Sequence, residues 1–427
     1  MLGRRGRLTL ALLLAIPSPL MGQTLVDRFK ELFTFGDCGE PLCLAGSLSQ
    51  NTHGSHFIPA ASSSNASVID FIENAVAVYS SNIPLGSTSS GVTFKFVGGL
   101  PVKTSSSSGP IYGERGQTLG RGRFLMGAYM SGIDFKTLRG VPIDNMGLNF
   151  THEDVGAPGL GDVTFENDVI HVDLSLYVNL LATSFFVTYG LLDNVDLSVA
   201  VPVVHSSMEG RSVGQIVPFG AGTPHFFGGD SANPILRATT ATFGSATGIG
   251  DVAGRLKIGL HNDPKFSAAL LADARFPTGD EQNFLGAGSF SMRGMGILSW
   301  TFGGFSPNVN AGYVYRSGDL FNNGVLFNAG FDALIAPWAT LAAEFLSEWQ
   351  IGDSKLQLPG PVQYILPYQR TVNPTSIPNQ RDDRAAASLG FKFRVGPSTL
   401  VTNALFPLVR GGMSPDIVWT AGAEFGF

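Results

Sequence analysis

A chain that is apolar on average, yet has no long apolar run, must spread its apolar residues over many short segments. The mean hydropathy is +0.18, and charged residues make up only 14% of the 427 residues, whereas soluble domains carry about 25%. After residue 22 there is no stretch of about 18 apolar residues, as a membrane-spanning helix would require. Alternating strands distribute apolar residues in this way, so the sequence indicates a protein that crosses a membrane with strands.

The last twelve residues, Asp416–Phe427, show this alternation most clearly. Every second residue from Ile417 to Phe427 is apolar, and the residues between them are mostly small or polar. Successive side chains of a strand point to opposite faces, so this strand has one apolar face. The edge of a two-sheet sandwich is the alternative, but terminal aromatic residues are typical of transmembrane barrels. Phe425 and Phe427 are therefore predicted to act as the assembly signal and as interfacial aromatics.

Turn-forming segments divide most of the chain into strands. Counted back from the C-terminus, short turns alternate with long loops, as at the periplasmic and extracellular ends of a membrane barrel. The short turns are predicted at residues 120–122, 191–194, 261–264, 303–304, 336–337 and 396–397, and the long loops at residues 137–167, 206–250, 275–288 and 351–383. Lipid offers no hydrogen-bonding partner to an open sheet edge, so the sheet must close. The predicted fold class is all-β, an antiparallel transmembrane β-barrel of about 14 strands, with a range of about 12 to 16.

Two details complete the predicted strand pattern. Val92–Phe96 and Pro110–Leu119 are expected to form the first pair of strands. Further along, the apolar column of the segment from Val172 to Tyr189 changes phase near Leu181, which predicts a bulge.

The N-terminal part of the chain differs from the barrel. Residues 1–22 combine three arginines with a short apolar core and are predicted to be a signal peptide. Residues 23–90 are predicted to form a hatch or plug, with a helix at Ala66–Ser81, where apolar residues recur at helical spacing. A disordered periplasmic tail is the alternative for this segment. Residues 91–427 are assigned to the transmembrane barrel.

The strand at residues 124–135 has large apolar side chains in both of its columns, although one column must face the lumen. The column that begins at Phe124 is taken as a candidate ligand surface together with the hatch helix. The candidate ligand-binding residues are Phe124, Met126, Met130, Phe71 and Ile72. Packing of the inward column against the hatch helix is an equally open alternative.

Charged residues on the polar columns are expected to face the lumen. The basic set is Arg255, Lys257, Lys392 and Arg394, and the acidic set is Asp273, Glu344 and Glu348. Ion pairing across the lumen is one interpretation. The other is a polar gradient that guides a solute bearing a carboxylate or phenol group.

The search for catalytic, metal-binding and cofactor-binding motifs predicts no enzyme, no metal site and no cofactor. His171, Asp173 and Ser175 share one column, but polar residues along a luminal column are the ordinary barrel pattern. Cys38 and Cys43 are predicted to form a disulfide, with two free thiols as the alternative. The net charge of −6 does not suggest a nucleic-acid partner.

Four short motifs carry a resemblance to a known family: YGLLDNVDLSVAVPV at 189–203, GIGD at 248–251, FPTGD at 276–280 and NALFPL at 403–408. In their order and spacing they resemble the outer-membrane proteins labelled "putative MetA-pathway of phenol degradation", over most of the chain from about residue 74. That family is similar in plan to the outer-membrane transporters of long-chain fatty acids and aromatic hydrocarbons, which hold an N-terminal hatch inside the barrel.

The resemblance implies passive uptake of hydrophobic small molecules across the outer membrane of a Gram-negative bacterium. The expected partners are outer-membrane lipid, the barrel-assembly machinery and a hydrophobic small molecule. A structural or adhesion barrel with a closed lumen is the alternative, and an outer-membrane hydrolase comes third.

Overall fold

The computed structural model describes residues 23–36, 41–42, 44–46, 49–52, 67–80, 87, 94–97, 100–103, 107–152, 154, 159–161, 166–219, 225–320 and 322–426. The predicted signal peptide, Cys38, Cys43 and Phe427 lie outside these residues, and the statements about them stay predictions. None of the described helices is long and apolar enough to cross a membrane.

The described elements are mainly strands. In chain order they are α1 (Leu25–Glu31), β1 (Ala45–Gly46), β2 (Ser49–Thr52), α2 (Ser67–Ser80), β3 (Phe94–Val97), β4 (Leu100–Lys103), β5 (Phe124–Leu138), β6 (Val141–Pro142), β7 (Met146–Thr151), β8 (Asp168–Leu192), β9 (Val195–Pro218), β10 (His225–Phe226), β11 (Gly228–Gly229), β12 (Pro234–Ile235), β13 (Arg237–Ile249), β14 (Val252–Asn262), β15 (Phe266–Phe276), a 3₁₀ turn (Glu281–Asn283), β16 (Ser291–Trp300), β17 (Phe305–Arg316), β18 (Gly324–Ala336), β19 (Ala339–Gln350), β20 (Val362–Tyr364), β21 (Arg370–Val372), β22 (Arg384–Val395), β23 (Ser398–Arg410) and β24 (Met413–Gly426).

Twelve of these strands close into one antiparallel ring, in the order β5, β8, β9, β14, β15, β16, β17, β18, β19, β22, β23 and β24. The ring closes where β24 pairs with β5, for example Thr420 with Ser131. The all-β antiparallel barrel is confirmed, with twelve strands where the sequence predicted about 14. The first predicted pair accounts for the difference. Strands β3 and β4 pair only with each other among the described strands, residues 110–119 form no strand, and the ring begins at Phe124, after the predicted boundary at residue 91.

Short turns join the ring strands at one end, which we call the lower end, and the long connections lie at the upper end. The turns fall where the sequence placed them, for example at residues 303–304 and 396–397. Gly303 and Gly396 have φ values of 64° and 60°, a left-handed conformation that glycine adopts without steric cost. In membrane barrels the short turns face the periplasm.

In the lower half of the ring, side chains alternate between an apolar outer face and a polar lumen. On β16, Leu298 is 42% exposed on the outer face, whereas the next residue, Ser299, is fully buried in the lumen. On β24, Trp419 faces outward and Thr420 faces inward. The predicted facing of the terminal strand is therefore confirmed.

Strands β8 and β9 continue far beyond the other strands at the upper end. They contain 25 and 24 residues, whereas about 9–11 residues cross a membrane. The predicted loop at residues 206–250 is thus wrong over much of its length, because it contains the upper part of β9 and strand β13. Strand β13 extends β14 upward and pairs with β9, with a shift of register at Gly250–Asp251.

The predicted bulge near Leu181 is also wrong, because β8 and β9 pair in one continuous register from Asp168 to Gly190. The same column of side chains faces the lumen along the whole strand, but the polarity of the residues in that column changes near Leu181. Below Leu181 the inward residues include Ser184 and Thr188, whereas above it they are apolar and fully buried, as at Leu176 and Val178. The outer face changes in the opposite sense, from apolar to polar residues.

Helices α1 and α2 fill the interior of this upper half. Leu32, the C-cap residue of α1, packs over Gly210 of β9 so closely that a Cβ at Gly210 would lie 2.5 Å from a methyl carbon of Leu32. Helix α2 confirms the predicted helix to within one residue at each end. Its inward face joins the core cluster of α1 and the upper strands, and Lys30 of α1 lies 3.5 Å from Glu73 of α2. We call the two helices the upper plug.

The lower half of the lumen is filled by residues 107–119, which we call the luminal segment. One end of the segment contacts β19, where the amide of Ser108 donates to Thr340 at 2.8 Å. At the other end the amide of Leu119 donates to Asp196 of β9 at 2.9 Å. The predicted strand at 110–119 is therefore wrong. Its amides donate to luminal side chains, among them Thr340, Glu344 and Asp196, so the segment lies inside the barrel instead of in its wall.

Candidate functional site

A cavity of about 260 Å³ lies in the lumen, lined by residues of β5, β15, β16, β18, β19, β22, β23 and β24. Tyr112 of the luminal segment also lines it. One wall of the cavity is apolar and another is positively charged. The wall strands therefore position chemically different side chains around one space.

The apolar wall comes mainly from β5, β23 and β24. Its residues include Ile133, Phe135, Leu405, Met413 and Val418, and all five belong to the core cluster that also holds both helices of the upper plug. This wall exists because the inward column of β5 becomes apolar towards its upper end. A site that is mostly apolar with a few polar groups is typical of small-molecule pockets.

The charged wall contains arginines from β15, β16 and β22. Arg275, Arg293 and Arg384 line the cavity together with the carboxylate of Glu348. Glu348 is already bonded on both oxygens, to Arg316 at 2.6 Å and to Arg384 at 3.0 Å. Each of these arginines lies on the luminal face of its strand, and the closed ring brings the three together.

The luminal segment lies in the lumen below the cavity, where Tyr112 reaches the cavity lining. The carboxylate of Glu344 accepts hydrogen bonds from the amides of Ile111, Tyr112 and Gly113, at 3.3, 3.1 and 2.7 Å. The Tyr112 hydroxyl lies 2.8 Å from the hydroxyl of Thr420. Three consecutive amides on one carboxylate fix the backbone of the segment in place.

Buried ion pairs hold the luminal segment to the wall at two further points. Arg115 is paired with Asp332 of β18, and Glu114 lies 3.3 Å from Lys257 of β14. These partners were not predictable from local pattern, since each pair joins residues more than a hundred positions apart.

Of the predicted charged residues, Arg255 and Asp273 form an ion pair at 2.9 Å, between the neighbouring strands β14 and β15 and not across the lumen. Lys392 pairs instead with Glu424 of β24 at 2.8 Å. Arg394 donates to the Ser108 hydroxyl at 3.0 Å. The luminal facing of the set is thus confirmed, but most partners are other than those named.

The candidate ligand-binding column of β5 lies on the outer face of the barrel, not in the lumen as predicted. Phe124 and Met130 are exposed on the outer face, and Met126 lies between them in the same column. The alternate column faces the lumen, where the Tyr129 hydroxyl bonds the carboxylate of Glu424. The sequence could not separate the two columns, because lipid and the upper lumen both select apolar residues.

Phe71 and Ile72 of α2 are buried in the core cluster, 3% and 1% exposed. Arg139 lies over the Phe71 ring at 4.7 Å. Both residues therefore pack inside the upper plug, and neither is among the described residues that line the cavity. Phe425 is exposed on the outer face of β24, and its role in assembly stays a prediction.

His171, Asp173 and Ser175 lie on the outer face of the upper part of β8, not in the lumen as predicted. The Ser175 hydroxyl donates to the carbonyl of Asp144 at 2.7 Å. His171 instead contacts Asn149 at 2.8 Å and Asp173 at 3.2 Å. The Ser175 hydroxyl is hydrogen-bonded to a backbone carbonyl and not to the His171 imidazole, so the two residues are not arranged as a nucleophile and its base.

Two of the motifs quoted from the sequence meet at one corner above the ring. The Asp251 carboxylate accepts from the amides of Gly279 and Ala287 at 3.1 and 2.8 Å. The Thr278 hydroxyl donates to the carbonyl of Gly250 at 2.7 Å. A Cβ on Gly279 would lie 2.5 Å from the carbonyl oxygen of Leu285. The motifs GIGD and FPTGD therefore fold the connection between β15 and β16 onto the start of β14.

The chain is similar to several solved structures at low sequence identity. The COG4313 outer membrane channel from Pseudomonas putida F1 is 12% identical, with a TM-score of 0.40, over 73% of this chain and 97% of its own. The toluene transporter TodX from Pseudomonas putida is 8% identical, with a TM-score of 0.31, over 71% of this chain and 89% of its own. A FadL homologue from Pseudomonas aeruginosa is 12% identical over the same shares, with a TM-score of 0.31.

No curated protein sequence matches the chain. A family model does, and it covers residues 158–406, which is more than half of the chain. The matched region runs from just before β8 into β23 and contains three of the quoted motifs and part of the fourth. The closed ring, its apolar outer face and its polar lower lumen are those of an outer-membrane barrel. The chain belongs to the outer-membrane β-barrel family described as "Putative MetA-pathway of phenol degradation".

Proposed function

We propose that the protein is a channel for the passive uptake of hydrophobic small molecules across the outer membrane. The observation that carries the proposal is the cavity of about 260 Å³ in the lumen, with its apolar wall of Ile133, Phe135 and Leu405. An engineered apolar cavity of roughly 150 Å³ already accepts benzene. A one-ring compound with a substituent therefore fits the space between the wall strands.

The upper plug and the luminal segment are the proposed barriers of this channel. Solutes pass when one or both move aside, and the cavity holds the solute between them. The solved structures to which the chain is similar include the toluene transporter TodX, which is also named a monoaromatic hydrocarbon channel. We extend hydrophobic uptake to this chain as a proposal.

The proposal is tested by filling the cavity. Ala386→Trp places an indole in the lumen, because Ala386 lines the cavity. Ala387→Trp is the matched control, since the neighbouring residue lies on the outer face beside Phe345 and Leu389. Uptake of toluene or benzyl alcohol into proteoliposomes should fall strongly for Ala386→Trp and stay near the wild-type rate for Ala387→Trp.

Permeation no faster than in empty liposomes, for correctly folded wild-type protein, would contradict the channel and favour a structural barrel with a closed lumen. Equal rates for the two tryptophan variants would place the route outside the cavity.

A second test concerns the segment predicted as the hatch. Removal of residues 23–87 takes away both helices of the upper plug while the luminal segment remains. Single-channel conductance should rise, and selective uptake of hydrophobic solutes should weaken because the core cluster beside the cavity loses part of its packing. A variant that inserts in planar bilayers and conducts like the full-length protein would show that these residues do not obstruct the lumen.

A further inference from the structure

We propose that the cavity recognises one chemical class of solute, a small aromatic compound that carries an anionic group. This inference rests on the proposed function and names its substrate class. The anionic group would bind Arg293, and the ring would lie on the apolar wall of β5, β23 and β24.

Five luminal arginines form a belt across neighbouring strands at the upper end of the ring. Direct cross-strand pairing places Asp273 of β15 between Arg255 of β14 and Arg293 of β16. Glu348 of β19 lies opposite Arg384 of β22 in the same way. The belt consists of Arg255, Arg275, Arg293, Arg316 and Arg384.

Two described carboxylates, Asp273 and Glu348, pair with arginines of the belt. Asp273 bonds Arg255 at 2.9 Å and lies 3.9 Å from Arg275, and Glu348 bonds both Arg316 and Arg384. The charge of Arg275 also acts on Asp251. The carboxylate oxygens of Asp251, however, accept hydrogen bonds from backbone amides of the connection between β15 and β16. The carboxylates of Asp273 and Glu348 are thus each shared between two arginines of the belt.

Arg293 is the arginine that this arrangement leaves without an ion pair among the described residues. No described carboxylate oxygen lies within 4.0 Å of its guanidinium, and its Nε has no hydrogen-bond partner within the described part of the chain. Its side chain nevertheless lines the cavity. Withdrawing a guanidinium from water is costly unless it is paired and hydrogen-bonded.

An anionic ligand satisfies this arginine and uses the rest of the cavity. The planar guanidinium matches a carboxylate with two parallel hydrogen bonds. Across the cavity, Phe135, Leu405 and Val418 present an apolar surface, so a ring attached to the carboxylate is buried as the head group binds. A neutral hydrocarbon would make the apolar contacts but would offer no hydrogen-bond acceptor to the guanidinium of Arg293.

The experiment compares three ligands of similar shape and different charge on the full-length protein in detergent. Benzoate is the anion, benzamide the neutral analogue and benzylamine the cation, and binding is measured by calorimetry. Benzoate should bind at least about tenfold more tightly than benzamide, because a hydrogen bond to a charged group contributes about that much. Benzylamine should bind more weakly than benzamide. Equal affinities for benzoate and benzamide would overturn the proposal without any variant being needed.

Variants then locate the head group. Arg293→Gln should abolish the preference for benzoate over benzamide, and Arg293→Lys should keep part of it. Arg410→Gln is the control, since Arg410 pairs with Asp416 on the exposed surface. Folding of each variant is checked by heat-modifiable migration. A full preference in folded Arg293→Gln would overturn the assignment.

The result is separable from that of the channel test. Charge-selective binding without flux through liposomes would contradict only the uptake proposal. Flux of toluene with no preference for benzoate would contradict only the anion site.

Discussion

The lower and upper halves of the β8–β9 hairpin share one continuous register, yet they place opposite polarities on the same faces. In the lower half, Phe185 and Val187 are exposed on the outer face while Ser184 is buried in the lumen. In the upper half, Leu176 is fully buried inside and Asp173 is exposed outside. The strand is the same, so the difference comes from its surroundings. Below, lipid lies outside and a polar segment inside; above, water lies outside and the helices lie inside.

The two fillings of the lumen differ in the same way. The luminal segment is held by ion pairs and by carboxylate–amide bonds, such as those of Glu344. The upper plug is held by apolar packing against β8, β9 and β13, with glycines that admit its helices at close range. Substitutions in each half of the barrel test this contrast.

The largest effect is expected from breaking a charge pair in the lower half. Arg115→Met leaves Asp332 buried without its guanidinium partner and should lower the free energy of unfolding by about 3–5 kcal/mol. The double variant Arg115→Met/Asp332→Leu should recover most of this loss, since it removes the buried charge. Urea titrations in lipid vesicles measure both. A double variant as unstable as the single one would mean that the pair is not what holds the segment.

A smaller effect is expected when an arginine is placed on the outer face of β8, and its size should differ between the lower and upper halves of the strand. Val187 and Tyr177 are both on the outer face and are 45% and 47% exposed, but one meets lipid and the other water. Val187→Arg should cost about 2–4 kcal/mol, whereas Tyr177→Arg should stay within about 0.5 kcal/mol of the wild type. The same vesicle titrations apply. Similar costs at both positions would place the membrane boundary elsewhere.

The smallest effect concerns charge within the upper plug. Burial raises the pKa of Glu73 above that of an ordinary carboxyl, although Lys30 opposes the shift. A raised pKa in the folded state means that stability is lost as pH rises from below the unfolded value through the folded one. Glu73→Gln should therefore stabilise the protein by a few tenths of a kcal/mol at neutral pH and have no effect well below pH 4.

The pH dependence is read from urea midpoints at the two pH values. Asp70→Asn, on the exposed face of the same helix, controls for the loss of a helix charge. A midpoint difference between Glu73→Gln and wild type that does not vary with pH would contradict the prediction.

The polarity contrast also explains which features the sequence revealed. The alternation of β16 and β24 predicted their facing correctly, because lipid and a polar lumen select opposite residues there. The same rule failed on the upper part of β8, where it assigned His171 to the lumen and a bulge to Leu181. Alternation in the sequence shows that the two faces of a strand differ in polarity. It does not show whether a given face contacts lipid, water or the interior of the barrel.

The candidate site was less predictable than the fold. Of the belt, the sequence analysis named only Arg255 as facing the lumen, and the pairing of Glu348 with both Arg316 and Arg384 depends on ring closure. Residues 110–119 alternate enough to suggest a strand, and only the long-range bonds of Arg115 and Glu114 make them a luminal segment. Such contacts leave no periodic trace in the sequence.

The free edge of β13 has a consequence for where the protein sits in the bilayer. Strand β14 pairs with β15 up to Val252 and Phe276, but above Gly250 strand β13 has β9 as its only sheet neighbour among the described strands. Hydrocarbon cannot solvate the unpaired amides and carbonyls of such an edge, whereas water can. The hydrocarbon must therefore end near Ile249, which pairs with Val203. At the same height, the outer face of β9 changes from the apolar Val203 to the polar His205. Hydrogen bonding and side-chain polarity therefore indicate the same position for the upper boundary of the hydrocarbon.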